Sequence, residues 1–369
     1  MKGRTVYRED IGKAQARMEA WWHGAVLDRP PVLAKAPRRA PAPAAVATSP
    51  EELHRYFLDP DVALPRYRQE LADSYFGGDS LPVMFPVSIG MVAILANILG
   101  CPIRFVNQET TWHEPVVDRW EDRPHFAYDP GGTLWKACRV LMERAVVEAD
   151  GYFVGVPDLN GPSEALALLR GTERFLMDFH DSPEVIRPAL AEITAAWYRY
   201  WQESSATVHK AGGYFYWMGF WSERPATDLQ SDVSCMISAR TFRDYFLSSL
   251  EEQTRMVERT VYHLDGPNSL QHVDALLELP RLTGIQWIQG AGGGPVTKYL
   301  DLLRRIQDAG KLVSCLCRLT DLDAVMSALK PEGTFLVMEE LGSPAEADEA
   351  VRRVAQWTKP RGTVAGRKS

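Results

Sequence analysis

The chain has 369 residues, of which 46% are hydrophobic and 24% charged, with a formal net charge of -7. That length suits one large α/β domain, and a mildly acidic surface of mixed sign gives no electrostatic basis for nucleic-acid binding. No apolar run is long enough to span a membrane and no apolar signal core follows the amino terminus. Five cysteines without small-domain spacing point to a reducing compartment, so a cytoplasmic protein is expected.

In chain order, residues 1–30 read as an N-terminal helical segment, and a Pro/Ala-rich loop covers Ala40 to Ser49. Eight β-rich runs can be placed: Pro31 to Lys35, Pro82 to Val87, Tyr152 to Pro157, Gly213 to Met218, Thr260 to Leu264, Gly284 to Ile288, Leu312 to Cys317 and Thr334 to Met338. Residues 100–120 read as a hairpin insertion. Phe175 to Glu203 reads as two helices, the second punctuated by Asp181-Ser182-Pro183-Glu184. Amphipathic stretches separate the later strands: Thr241 to Arg259, Leu270 to Leu279, Lys298 to Ala309 and Asp321 to Leu329. One βα unit per roughly 25–30 residues is the rhythm of a (β/α)8 barrel. The basic end, residues 359–369, is broken by Gly362 and Gly366 and reads as a flexible tail. The expected architecture is a single α/β domain over 1–369, a (β/α)8 TIM barrel with N-terminal helical and hairpin insertions.

In such barrels the reacting groups follow the carboxyl ends of the strands. Those ends carry Asp158 and Asn160 after the third strand, and Trp217, Trp221 and the run Thr227 to Cys235 with Asp232 after the fourth. They carry His263 and Asp265 on the fifth, Trp287 and Gln289 on the sixth, Cys315 and Cys317 on the seventh, and Glu339 and Glu340 on the eighth. Alternation along a strand puts His263 and Asp265 on one side, an arrangement whose burial calls for a partner, a metal or a substrate. Two uses fit. His263, Asp265 and a Cys317 thiolate are zinc-compatible ligands that would leave a fourth position open. Alternatively, Asp232 or Asp265 does acid/base work with His263 as partner. The structural readings stand beside these: a hydrogen-bonded pair at the rim, cysteines as small core residues, and tryptophans as packing. The run Gly290 to Gly294 lacks the ending of a P-loop and the spacing of a dinucleotide fingerprint, and reads as a loop approached by a ligand.

The segments Asp28-Arg29-Pro30-Pro31-Val32, Gly171-Thr172-Glu173, Asp181-Ser182-Pro183-Glu184, His263-Leu264-Asp265-Gly266-Pro267 and Ile285-Gln286-Trp287 resemble the uroporphyrinogen decarboxylase-like superfamily. That superfamily includes decarboxylases of haem synthesis and methyltransferases acting on corrinoid proteins and thiols. The resemblance implies a (β/α)8 barrel with its site in the mouth. Where the decarboxylases carry an arginine-rich segment for substrate carboxylates, this chain has Ala34-Lys35-Ala36-Pro37-Arg38-Arg39, with Arg38 or Arg39 the stand-in. Ser231-Asp232-Val233-Ser234 is similar to their Phe-Asp-Ser motif, which makes Asp232 the counterpart of its aspartate. The zinc motif of the methyltransferase branch, histidine-x-cysteine with a distant cysteine, is matched at His263 and departed from at Asp265, with Cys315 or Cys317 as the distant thiol.

The function expected is methyl or small-group transfer to or from a small molecule. Its catalytic residues would be Asp232, His263 and Asp265, with Asn160, Trp217, Trp221, Trp287, Gln289, Glu339 and Arg38 lining the substrate site and His263, Asp265 and Cys317 as the zinc ligands if the ion is used. A corrinoid protein is a candidate partner, and a homodimer is allowed by the sequence. The alternatives are a metal-free decarboxylase and a barrel that binds a ligand or a corrinoid protein without catalysis.

Overall fold

A computed structural model describes residues 7–39, 47–88 and 94–358. The tail 359–369, residues 1–6 of the N-terminal segment and most of the Pro/Ala loop lie outside the described residues.

The core is one seven-stranded sheet, whose strands are labelled in chain order β1 (Val32–Pro37), β2 (Ser74–Gly78), β3 (Ala226–Gln230), β4 (Arg259–Asp265), β5 (Gly284–Ile288), β6 (Leu312–Cys317) and β7 (Thr334–Met338). Their spatial order is β2-β1-β7-β6-β5-β4-β3, and every pair is parallel except β1 with β2. Runs of Val, Ile, Leu and aromatic residues in β4 to β7, buried on both faces, are the pattern a helix-covered parallel sheet requires.

The expected second, third and fourth strands are present as short pieces outside this sheet. Val83–Met84 pairs in parallel with Phe153–Val154, and Tyr214–Phe215 pairs antiparallel with Trp221–Ser222. A closed eight-stranded barrel is therefore not what the hydrogen-bonded ladder forms. The reason is local: β1 pairs with β7 on one edge and with the antiparallel β2 on the other. A strand has two edges, so none is left for Val83–Met84. The hairpin insertion is present, Ile103–Phe105 against Thr111–His113.

The N-terminal helix Ile11–Trp22 plugs the amino end of the sheet. Trp21 Nε1 donates to the Gly333 carbonyl at 3.0 Å, and its ring lies 5.1 Å from Phe335 and 5.0 Å from Phe220. Glu19 meets Arg259, the first residue of β4, at 2.8 Å. Fully buried Asp79 ties the same end together, accepting from the Val32 amide at 2.9 Å and pairing with Arg17 and Arg29. With that end closed, the opposite, carboxyl end is the one left for a site.

Register sorts the strand residues into two faces. His263 stands opposite Gln230 on one side and Gln286 on the other, and Gln286 opposite Ser314. The alternate set, Leu264, Trp287, Cys315 and Leu336, points the other way. There Trp287 packs on Tyr299 at 4.7 Å, just before the helix Leu300–Asp308.

Candidate active site

The His263 face carries the site. On β3, Asp228 stands opposite Val261 and Gln230 opposite His263, so alternation puts Asp228 and Gln230 with the histidine. Trp217, in the turn after Tyr214–Phe215, donates its Nε1 to Asp228 Oδ2 at 3.0 Å and sets its ring nearly perpendicular to His263, centroids 4.9 Å apart. His263 Nδ1 lies 2.8 Å from Gln286 Oε1. A carboxamide oxygen only accepts, so Nδ1 carries a proton and Nε2 is the nitrogen left for other partners.

Asp158 comes in from the loop after Phe153–Val154. Its Oδ1 accepts from Gln230 Nε2 at 2.8 Å and from the Asn160 amide at 2.9 Å. Asn160 has φ +61°, and its side-chain oxygen accepts from the Gly161 amide, so it shapes the loop that presents Asp158. A Cβ at Gly161 would stand 1.9 Å from the Gln230 carbonyl, which is why only glycine lets this loop close on β3.

Asp232 opens the 3-10 turn Asp232–Met236 directly after β3. Three contacts fix that turn. The Val233 amide donates to Glu164 at 2.8 Å, Ser163 Oγ donates to Ser231 Oγ at 2.7 Å, and buried His272 Nε2 donates to the Ser234 carbonyl at 2.9 Å. Asp265 closes the group at the end of β4; its Oδ1 is buried and without a partner among the described residues.

These carboxyls are held against their ordinary acidity. Burial pushes Asp158 well up, and Asp228 adds to it, while the Asn160 amide and His263 pull back. Burial also pushes Asp228 up, against the Trp217 bond. Asp232 is open to solvent along the well yet walled by protein elsewhere, and that crowding raises it, with Asp265 adding and His263 opposing. Burial takes Glu164 up to about 7, helped by Asp232. The carboxyls able to hold a proton near neutral pH are therefore Asp158 and Glu164, both at about 7, beside a histidine whose Nδ1 is engaged by Gln286.

Next to Asp265 lies a cavity of about 420 Å³ over the carboxyl ends of β5, β6 and β7, lined by Ile288, Gln289, Gly290, Leu316, Arg318 and Glu339 among others. Gly290 abuts Asp265: a Cβ there would lie 3.2 Å from Asp265 Oδ1. Gln289 Nε2 donates to the Leu316 carbonyl at 3.3 Å. Burial raises the Glu339 carboxyl, opposed by Arg318.

Of the residues expected from sequence, Asp232, His263, Asp265, Trp217 and Asn160 gather at the well, and Gln289 and Glu339 at the adjoining cavity. The other four do not reach either. Trp287 and Cys317 fall on the helix-covered face by the period-two alternation of their strands, both fully buried. Trp221 lies at the plugged end, its Nε1 on the Gly212 carbonyl and its own carbonyl accepting from Trp22. Arg38 reaches sideways along β2, donating Nε to the Ser74 carbonyl at 2.8 Å and lying over the Tyr75 ring. The zinc set of His263, Asp265 and Cys317 is accordingly split across the sheet, and no group of three or more His, Cys, Asp or Glu suited to a metal occurs among the described residues. Cys317 therefore does not share a face with His263 and Asp265. Asp228, Gln230, Gln286 and Glu164 complete the site without having been singled out. For Asp228 and Gln230 a signal existed, since Asp228, Gln230 and Asp232 recur at every second residue.

No protein-family model and no curated protein sequence matches the chain. Solved structures do match. One is a methyltransferase from Methanosarcina mazei, with a TM-score of 0.59 at 15% identity over 93% of this chain and 98% of that one. The two share a fold. No described helix is long and apolar enough to cross a membrane.

Proposed function

We propose that the chain is a methyltransferase-like enzyme of the uroporphyrinogen decarboxylase-like superfamily, moving a methyl or other small group from or to a small molecule held above His263. The observation that carries the reading is the set of carboxyls held toward their protonated form, Asp158, Asp228 and Asp232, packed round one oriented histidine. Such a set protonates a leaving group as the group departs, while His263 Nε2 accepts a hydrogen bond from substrate or takes up a proton. Near-complete overlap with a protein called a methyltransferase supports the class of reaction. The split of Cys317 from His263 argues for chemistry by these side chains, with no step assigned to zinc. A corrinoid protein is one acceptor compatible with the reading. A closed barrel, completed by the short strands flanking the sheet, belongs to the same proposal.

The test is a panel of N-methyl, O-methyl and S-methyl donors offered to the purified protein with a thiol or cob(I)alamin as acceptor, read as methylated acceptor formed. Transfer from one donor class, lost in Asp228→Asn, is expected. Release of CO2 from carboxylated compounds with no methyl transfer would contradict it and favour decarboxylation.

A further inference from the structure

The charges round the well are unbalanced. Asp158, Asp228, Asp232 and Asp265 converge on His263, and none of them makes an ion pair with a lysine or arginine among the described residues. Lys35 answers to Glu70, and Arg318, in the adjoining cavity, is paired with Glu340 at 2.7 Å. Without an opposite charge such a cluster is held toward its protonated form, as Asp158, Asp228 and Asp232 are, and a cationic ligand would supply the missing charge.

The same well has unsatisfied polar groups. Ser314 is fully buried on the His263 face beside Gln286, and its Oγ has no partner. Tyr216 is also fully buried with its hydroxyl unpaired, and it lies within the field of Asp228. Buried donors of this kind are normally satisfied, so Ser314 on the His263 face and Tyr216 near Asp228 are each open to a ligand's polar group. The donor set also says what the guest is not. Asp158 Oδ1 is taken by Gln230 and Asn160, and Asp228 Oδ2 by Trp217, so the carboxyls do not converge to coordinate a metal ion. A diffuse cation needs a field and aromatic walls and not a coordination shell, and the Trp217 and His263 rings, edge to face, provide walls.

We infer that the small molecule bound above His263 is an organic cation, a quaternary or protonated amine, with its positive centre among Asp228, Asp232 and Asp265 beside Trp217 and a short polar arm reaching the buried hydroxyls. The inference names a substrate class for the site proposed above and rests on that site being the binding site. It does not depend on which reaction follows.

Isothermal calorimetry on the full chain with three probes of one shape tests it: choline, its uncharged carbon isostere neohexyl alcohol, and the corresponding carboxylate, tert-butylacetate. Choline is expected to bind about tenfold or more tighter than the alcohol, the carboxylate weakest. In Asp232→Asn and Trp217→Leu the choline affinity should fall about tenfold while the alcohol's is nearly unchanged. Equal affinity for choline and the alcohol, tightest binding of the carboxylate, no choline binding, or loss of choline binding only in variants that unfold by circular dichroism would each overturn the inference. Methyl transfer from uncharged donors with no choline binding would overturn this inference alone. Choline binding with no transfer from any donor would overturn the proposed reaction alone.

Discussion

His263 and Gln286 face each other across the parallel pair β4–β5 in direct register, with Nδ1 and Oε1 2.8 Å apart. The contact sets both tautomer and ring angle, and it turns Nε2 toward the carboxyls. Gln286→Leu is expected to remove that control. Nitrogen NMR of the imidazole should show one tautomer in the parent and a mixture in the variant, with turnover about 10- to 100-fold lower. A single unchanged tautomer in the variant would show that Gln286 is a bystander.

Raised carboxyl acidity makes stability depend on pH with a definite sign. Glu164 is held at about 7 in the fold against an ordinary value near 4.5. Its contribution is therefore fully present below the ordinary value and is lost as pH climbs through about 7, because the unfolded chain ionises first. Asp158 and Asp228 act in the same direction. Urea unfolding should show stability falling between pH 5 and pH 8 by about 3 kcal/mol or more, with a shallower fall in Glu164→Gln, which keeps an acceptor for the Val233 amide. Equal slopes would show that Glu164 ionises freely in the fold.

At the closed end, Asp79 is buried with Arg17 and Arg29 and holds the first residue of β1 by its amide. Asp79→Ala leaves the buried Arg29 without a carboxylate, while Arg17 keeps Asp28. It should cost about 3–5 kcal/mol in urea unfolding, enough to leave little folded protein near physiological temperature.

Cys317 lies across the sheet from His263, its thiol pushed up by burial. Cys317→Ala is expected to leave turnover within about twofold while costing about 1–2 kcal/mol of stability. Turnover lost with stability intact would return the thiol to the site.

All eight strands read from sequence have a counterpart, because each is a compact β-branched or aromatic run with turn residues at its ends. The two strands of the main sheet outside those runs lack that signature. Ser74–Gly78 ends in two glycines, and Ala226–Gln230 contains Asp228 and Gln230, polar because they line the well. The first of these occupies the edge of β1, so the hydrogen-bonded ladder ends on a strand that composition hides. His263 and Asp265 were legible because a polar pair at the end of an apolar strand is costly. Cys317 misled because its place at a strand end was visible while its face was not: the register with β5, which fixes it, comes from the pairing of distant segments. Arg38 misled for a related reason, since β2 lies alongside to receive it.

The central claim is that the carboxyls round His263 are kept for chemistry and not for the fold, and unfolding of Asp228→Asn at pH 8 tests it without a substrate. Asparagine keeps an acceptor for Trp217 Nε1 and removes a charge that burial opposes. The account predicts a variant more stable than the parent by about 2 kcal/mol. A variant destabilised by a similar amount would make Asp228 a structural residue and contradict the site.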